Sequence, residues 1–354
     1  MPNTDFHKPW VSFCMSTYKR QELLKATLES IAQQTFTDFE VIISDNDTDR
    51  SAEPIVLGMQ DSRFKYFCNE ENLGMIKSFN KSISRSSADF VVMITDDDPI
   101  YPDMLHTLYD LWKNHPGYGV YHGACDVIYN TQEMAESCRG KLGVNSCLAD
   151  LPEGDIRTYP AEIFPLAFFS NEVSNYMLWS VCIVKKEILL AIGGIPDYGT
   201  PFMGDLAFTV LTCSMEGVVF VNTSLGAQLV HGKNYGYTQN DNYAGYFLTA
   251  AGFHDWISTR FSLRKDWIMV QPQMEKFIAR WMVSYGLSLR KYLKKNGQSL
   301  KGLNEVLKKI FRIPYISIWR WKYYLSAYLP TLFEYLLKVK KALIPQTTTV
   351  KKIA

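Results

Sequence analysis

The chain has 354 residues, enough for more than one minimal domain and a sizeable core. Hydrophobic residues make up 47% and charged residues 21%, which excludes disorder throughout. Its 37 Lys and Arg balance 36 Asp and Glu for a formal net charge of +1, which by itself speaks against a generic nucleic-acid binder.

In chain order, Trp10–Met15 reads as a buried strand and 23–33 as a helix, with Leu24, Leu28 and Ile31 at helical spacing. Phe39–Ser44 predicts a second strand, ending in the acidic turn Asp45–Asp49. Phe64–Cys68 predicts a third strand and Met75–Ser84 a helix. Phe90–Ile94 predicts a fourth strand, ending at Thr95-Asp96-Asp97-Asp98, and Pro102–His115 the next helix. Such alternation predicts an α/β fold, a mostly parallel sheet flanked by helices, with ligands at the carboxyl ends of the strands. Ser16-Thr17-Tyr18, Asp45–Asp49 and Asp96–Asp98 all fall at such ends.

Beyond residue 130 the pattern is mixed. Thr131–Asp155 is polar and predicts a loop. Tyr176–Val184 predicts a strand, Lys185–Ile192 a short helix, Asp205–Met215 a helix and Val218–Val221 a strand. From Asp255 onward the pattern is helical, basic and aromatic. Residues 255–354 hold 20 Lys and Arg against 5 Asp and Glu, net +15, leaving 17 against 31, net −14, in 1–254. We therefore expect one domain over 1–254, with halves 1–130 and 131–254, and a helical extension over 255–354 that serves as an interaction segment. Ile313–Tyr324 interleaves aromatic and basic residues, a composition that favours an anionic membrane surface. Packing of that stripe on the first domain is the alternative. The acidic first part argues against nucleic acid.

Seven cysteines without a CxxC pair, several in apolar runs, predict reduced thiols in a cytoplasmic protein. The start carries no signal-peptide pattern, and no run of about 18 uncharged apolar residues is present. The expected location is cytoplasmic, peripheral at the inner face of the membrane.

Three consecutive carboxylates repel one another unless neutralised, and hard oxygen ligands suit Mg²⁺ or Mn²⁺. A solvated acidic turn is the plainer explanation of Asp96–Asp98. Together with Val11–Tyr18, Leu28–Phe36 and Phe39–Asp49, however, this motif resembles the family-2 glycosyltransferases of the GT-A fold. Asn72-Leu73-Gly74 with Lys77–Asn80, Tyr101-Pro102-Asp103, Ile192–Gly194, Gly204-Asp205 and Leu229–His231 continue the resemblance in order to about residue 235.

The resemblance implies a Rossmann-like GT-A domain that binds a nucleotide-diphosphate-sugar donor. It implies that Thr17 and Tyr18 line the nucleotide pocket and that Asp45 accepts a hydrogen bond from the base. Asn72, Gly74, Lys77 and Asn80 would close around the nucleotide, with Asp96 near the ribose. Asp97 would hold the metal, with Asp98 as a secondary ligand; the family's Asp-x-Asp here begins with Thr95. Asp205 would be the catalytic base of an inverting transfer, an N-cap being the alternative. His231 would reach the metal or diphosphate, or be structural. Trp179 and Ser180 would line the pocket of a saccharide or lipid-linked saccharide acceptor, a core tryptophan being the alternative. From its glycine content, and not from the resemblance, the stretch of Lys233 and Tyr235–Tyr237 would form a flap over the phosphates. The implied activity is metal-dependent sugar transfer in bacterial surface polysaccharide synthesis. A sugar-nucleotide nucleotidyltransferase is disfavoured because Ser16–Arg20 lacks glycine. A non-catalytic carbohydrate-binding protein would not need Asp97 and Asp205 together.

Overall fold

The structure, a computed structural model, describes residues 8–173, 177–200, 202–234 and 242–343. It divides into two compact units, Met1–Gln273 and Met274–Ala354.

The first unit opens with β1 (Val11–Thr17), α1 (Gln21–Ala32), β2 (Phe39–Asp45), α2 (Glu53–Gly58), β3 (Phe64–Cys68), α3 (Met75–Arg85), β4 (Phe90–Thr95) and α4 (Met104–Asn114). β1 and β2 are buried along their whole length, as strands covered on both faces must be. Their apolar runs make them easy to predict. The six-residue α2 is too short to show a helical period.

The second half of this unit departs more from expectation. β5 (Val120–Tyr129) carries His122, Gly123 and Asp126, which interrupt its apolar pattern. The polar stretch after it is not all loop. It holds α5 (Gln132–Ser137), whose N-cap Thr131 accepts from the Met134 N–H at 3.2 Å, and β6 (Gly143–Ser146). Then come β7 (Ile156–Tyr159) and α6 (Phe164–Ser170). The strand expected over 176–184 is shorter: Trp179–Val181 is a 3-10 turn and β8 covers only Cys182–Lys185. α7 (Lys186–Ala191), α8 (Gly204–Glu216), the thirteen-residue β9 (Val218–Val230) and α9 (Tyr243–Phe261) follow. The boundary expected at 254/255 lies inside α9; the two units divide within α10 (Trp267–Lys295).

The nine strands form one sheet in the order β3-β2-β1-β4-β8-β5-β9-β7, with β6 beside β5. β1 to β4 pair in parallel, β8 is antiparallel to β4 and β5, and β9 is parallel to β5. The antiparallel β8 therefore restores the original direction at β5 and β9. The carboxyl ends of β1, β2, β4, β5 and β9 consequently share one edge. The opposite edge is fixed by aromatic packing, with Trp10 5.2 Å from Phe36, 5.4 Å from Phe90 and 5.7 Å from Trp112 between ring centroids. Such pairs contribute about 0.5–1.5 kcal/mol each beyond area burial.

The second unit is helical: the remainder of α10, α11 (Lys301–Ile310), α12 (Pro314–Ser317), α13 (Arg320–Tyr328) and α14 (Pro330–Leu343). In α11, Leu303, Val306, Leu307 and Ile310 recur at helical spacing and are buried, while Lys308 and Lys309 face solvent. Arg290 lies 4.5 Å over the ring of Tyr328, and Phe311 packs 5.6 Å from Tyr323.

Candidate active site

The shared carboxyl edge opens into a cleft of about 730 Å³, a volume suited to a ligand of cofactor size. β1 supplies Ser16 and Thr17, and the turn after it Tyr18 and Arg20; the β4 turn supplies Thr95 to Asp98. The loop into α3 supplies Asn72, Gly74 and Lys77, and the 197–200 loop supplies Asp197, Gly199 and Thr200. Thr17, Tyr18, Asn72, Gly74, Lys77, Asp96, Asp97 and Asp98 are thus brought together as expected from the sequence.

The β4 turn is held by neighbours from distant parts of the chain. Thr17 Oγ1 donates to Asp96 Oδ2 at 2.8 Å. The Arg20 guanidinium bridges Asp96 Oδ1 at 3.1 Å and Asp97 Oδ2 at 3.0 Å. Burial, and then the charge of Asp97, push the Asp96 carboxyl up to about 6 against the opposing pull of Arg20 and Thr17. Asp98 Oδ2 accepts from Thr95 Oγ1 at 2.6 Å and Ser180 Oγ at 3.1 Å. Burial also raises the Asp98 carboxyl, again reinforced by Asp97.

Asp45, Asn80, Trp179, Ser180, Asp205 and His231, all expected at the site, are not among the residues that line this cleft. Asp45 is 0% exposed. Its carboxylate accepts from the N–H groups of Asp47 and Ala52, at 2.9 and 3.2 Å, and from Tyr66 Oη at 2.9 Å. Its donors are already supplied by the protein. The next residue, Asn46, faces the cleft, donates to the Gly74 carbonyl at 3.2 Å and accepts from the Leu73 N–H at 3.2 Å. Asn80 pairs instead with Ile195, accepting its N–H at 2.8 Å and donating to its carbonyl at 3.3 Å. Gly194 must be glycine there: its φ is +79° and a Cβ would stand 2.4 Å from Asn80 Oδ1. This clamp anchors the start of the segment that includes Asp197 and Thr200.

Ser180 is buried and serves as the hydroxyl partner of Asp98, while Trp179 packs 4.7 Å from Phe208. The fifth, Asp205, is an exposed residue in the first turn of α8. It is not the N-cap. That position is Met203, held at φ 58°, a strained value for a non-glycine residue. Asp205 Oδ1 accepts the Leu206 N–H at 2.9 Å. Desolvation by the protein around the start of α8 raises its carboxyl pKa, although solvent exposure of the side chain limits that shift.

His231 follows the end of β9 and stands behind Asp97, with its side chain 6% exposed. Its Nε2 is 3.1 Å from Asp97 Oδ2, while its Nδ1 accepts the Lys233 N–H at 3.3 Å. With Nδ1 an acceptor, the neutral ring carries its proton on Nε2 and donates to Asp97. A metal-ligating histidine usually donates through its other nitrogen, so this geometry makes His231 a partner of Asp97. Lys233 contributes its carbonyl to Arg20 at 3.3 Å. Tyr235–Tyr237, expected in a flap with Lys233, lie outside the described residues.

No group of three or more His, Cys, Asp or Glu converges on one point among the described residues. The donor set still fits a hard divalent cation. Asp97 lines the cleft beside Asp96, and such ions are commonly held by one or two carboxylates and complete their shell with water and phosphate oxygens. Asp97 is placed to hold it, with Asp96 beside it. Asp98 has one oxygen committed to two hydroxyls. Arg20, Asn46, Asp197 and Asn234 also line the cleft and are not expected from the sequence; Arg20, three residues beyond β1, and Asn46, directly after β2, carry the signal of standing past a strand end.

Residues 12–141 match the family described as Glycosyl transferase family 2. A GalNAc(5)-diNAcBac-PP-undecaprenol beta-1,3-glucosyltransferase of Campylobacter jejuni is 33% identical over 136 residues, covering 38% of this chain and 43% of that protein. A UDP-Glc:alpha-D-GlcNAc-diphosphoundecaprenol beta-1,3-glucosyltransferase of Escherichia coli is 28% identical, covering 51% of this chain and 72% of that protein. The chain thus spans less than half the length of the first of these relatives. A mannosyltransferase from Pyrobaculum calidifontis, solved with GDP-Man and Mn²⁺, aligns over 96% of this chain and 88% of its own, with a TM-score of 0.50 and 14% identity. The mixed, mostly parallel α/β sheet of this chain thus matches the GT-A fold, and a helical carboxyl-terminal region follows it.

Proposed function

We infer that this chain is a glycosyltransferase that moves a sugar from a nucleotide-diphosphate-sugar to an acceptor hydroxyl in bacterial glycan synthesis. The observation that carries this reading is the cleft at the carboxyl edge. There Thr17, Asn72, Lys77, Asp96 and Asp97 converge within a family-2 domain. The C. jejuni and E. coli relatives are named for undecaprenol-linked substrates, which supports a lipid-linked saccharide as acceptor.

In this reading Thr17 and Asp96 face the ribose and Tyr18 covers the nucleotide at the cleft mouth. Asn46 takes the base-facing place that the sequence assigned to Asp45. Asp97 holds Mn²⁺ or Mg²⁺, steadied by His231. The cation supplies positive charge to the departing diphosphate. Asp205 removes the acceptor proton, and its carboxyl is raised towards the range a general base needs. A base facing the sugar opposite its leaving group gives single displacement with inversion. Trp179 and Ser180 sit behind this reaction, Ser180 holding Asp98 in place. A thermal-shift series of nucleotide-sugars with Mn²⁺ tests the reading: the true donor raises Tm, by an amount that grows with its concentration. No shift with any nucleotide-sugar overturns it.

The second unit supports a peripheral place at an anionic membrane. No helix is long and apolar enough to cross a membrane among the described residues. In α14, Leu332, Tyr335, Leu336 and Val339 recur at helical spacing and are exposed, and Trp321 of α13 is 60% exposed. Lys338 lies on the same helix. Aromatic and leucine side chains on basic helices suit the lipid interface. Trp321→Ser with Tyr335→Ser should reduce flotation with phosphatidylglycerol vesicles several-fold without lowering Tm. Unchanged flotation would remove the membrane from this reading.

A further inference from the structure

We propose that Arg20 is a displaceable counter-cation. It neutralises Asp96 and Asp97 while the cleft is empty and passes its guanidinium to the donor diphosphate when a divalent cation takes its place. This rests on the metal-dependent reading above and adds a residue which that reading does not use.

One carboxylate oxygen at the site is crowded. Asp97 Oδ2 has Arg20 Nη1 at 3.0 Å, His231 Nε2 at 3.1 Å and Asn234 Nδ2 at 3.4 Å. A cation cannot bond to that oxygen while the guanidinium covers it. Two buried carboxylates side by side also need a positive partner, because like charges in a poorly solvated site repel strongly. Arg20 meets that need by bonding both of them.

Arg20 is also built to leave. Its backbone is fixed as the N-cap residue of α1, where its carbonyl accepts the Leu24 N–H at 2.9 Å. Only the side chain has to move. That side chain is 30% exposed, against 6% and 9% for Asp96 and Asp97, so solvent lies on the cleft side. A divalent ion offers the two carboxylates twice the charge of the guanidinium. The displaced guanidinium has a fork of N–H groups matched to phosphate oxygens. The exchange conserves charge pairing at each stage: carboxylates with cation, guanidinium with diphosphate.

The decisive measurement is Mn²⁺ binding by calorimetry to the full chain without nucleotide, repeated with inorganic pyrophosphate. Arg20→Gln should bind Mn²⁺ alone about tenfold more tightly than the unsubstituted protein, since it removes a competitor for Asp97. The same variant should bind pyrophosphate several-fold more weakly in the presence of Mn²⁺, since the phosphate loses its partner. Opposite signs are the signature; a merely structural role moves both affinities the same way. Arg20→Lys keeps the charge without the fork, should fall between the two, and decides the matter if Arg20→Gln does not fold. Equal Mn²⁺ binding by all three proteins overturns the role of Arg20 and leaves the metal reading standing. No Mn²⁺ binding by any of them overturns both.

Discussion

Replacing Asp97 by Asn should lower Mn²⁺-stimulated donor hydrolysis and sugar transfer at least about a hundredfold, while the protein keeps its cooperative unfolding. A metal's stabilisation of transition-state charge is worth several kcal/mol, and each ~1.4 kcal/mol is a factor of ten in rate. The fold should survive because Arg20 keeps Asp96 as its partner and the apolar β4 strand is untouched. Calorimetry should show the loss of Mn²⁺ binding directly. A variant that still binds Mn²⁺ and transfers at the original rate would remove Asp97 as the metal ligand.

Asp205→Asn should separate chemistry from binding. A general base contributes about 10²–10⁴ in rate, so kcat should fall by that factor while donor affinity stays within about twofold. Asp205 is exposed and its Oδ1 accepts the N–H of its neighbour Leu206, a bond that the asparagine side-chain oxygen can keep. The pH profile supplies a second check. The base works only when ionised, so activity is present above its pKa and lost as pH falls through it. Because the Asp205 carboxyl is raised, the acid limb of kcat/KM should lie above the ordinary aspartate range. A large loss of donor binding instead would make Asp205 part of the donor site.

The sequence makes the first half of the first unit readable for a definite physical reason. β1, β2 and β4 are covered on both faces, so they appear as unbroken apolar runs, and the polar residues that follow them must stand at the sheet edge. That logic places Thr17, Asp96 and Asp97 correctly in the cleft. It cannot set the direction of a side chain. Asp45 and Asn46 are adjacent at a strand end, and Tyr66, on a neighbouring strand, helps hold Asp45 inward. Asn80 is decided by the backbone at Gly194 and Ile195, and Ser180 by Asp98. In each case the deciding partner is remote in sequence. The loop expected over 131–155 fails differently: α5 and β6 are short, and a Thr131 cap and pairing with β5 stabilise them more than their own composition does.

The parallel alignment of β9 with β5 bears on how the domain is made as well as on what it does. The contacts at the cleft join residues separated by 79 positions for Thr17 and Asp96, 134 for Asp97 and His231, and 213 for Arg20 and Lys233. Loops of that length are slow to close, and their entropy is lost before any contact repays it. The carboxylate turn cannot acquire its full set of neighbours until the chain up to residue 234 has emerged and the far strand has docked. A nascent or partly refolded chain has Thr17, Arg20 and Thr95 beside its acidic turn but lacks Ser180 at Asp98 and His231 and Asn234 at Asp97. The complete cleft becomes a property of the finished topology, acquired late.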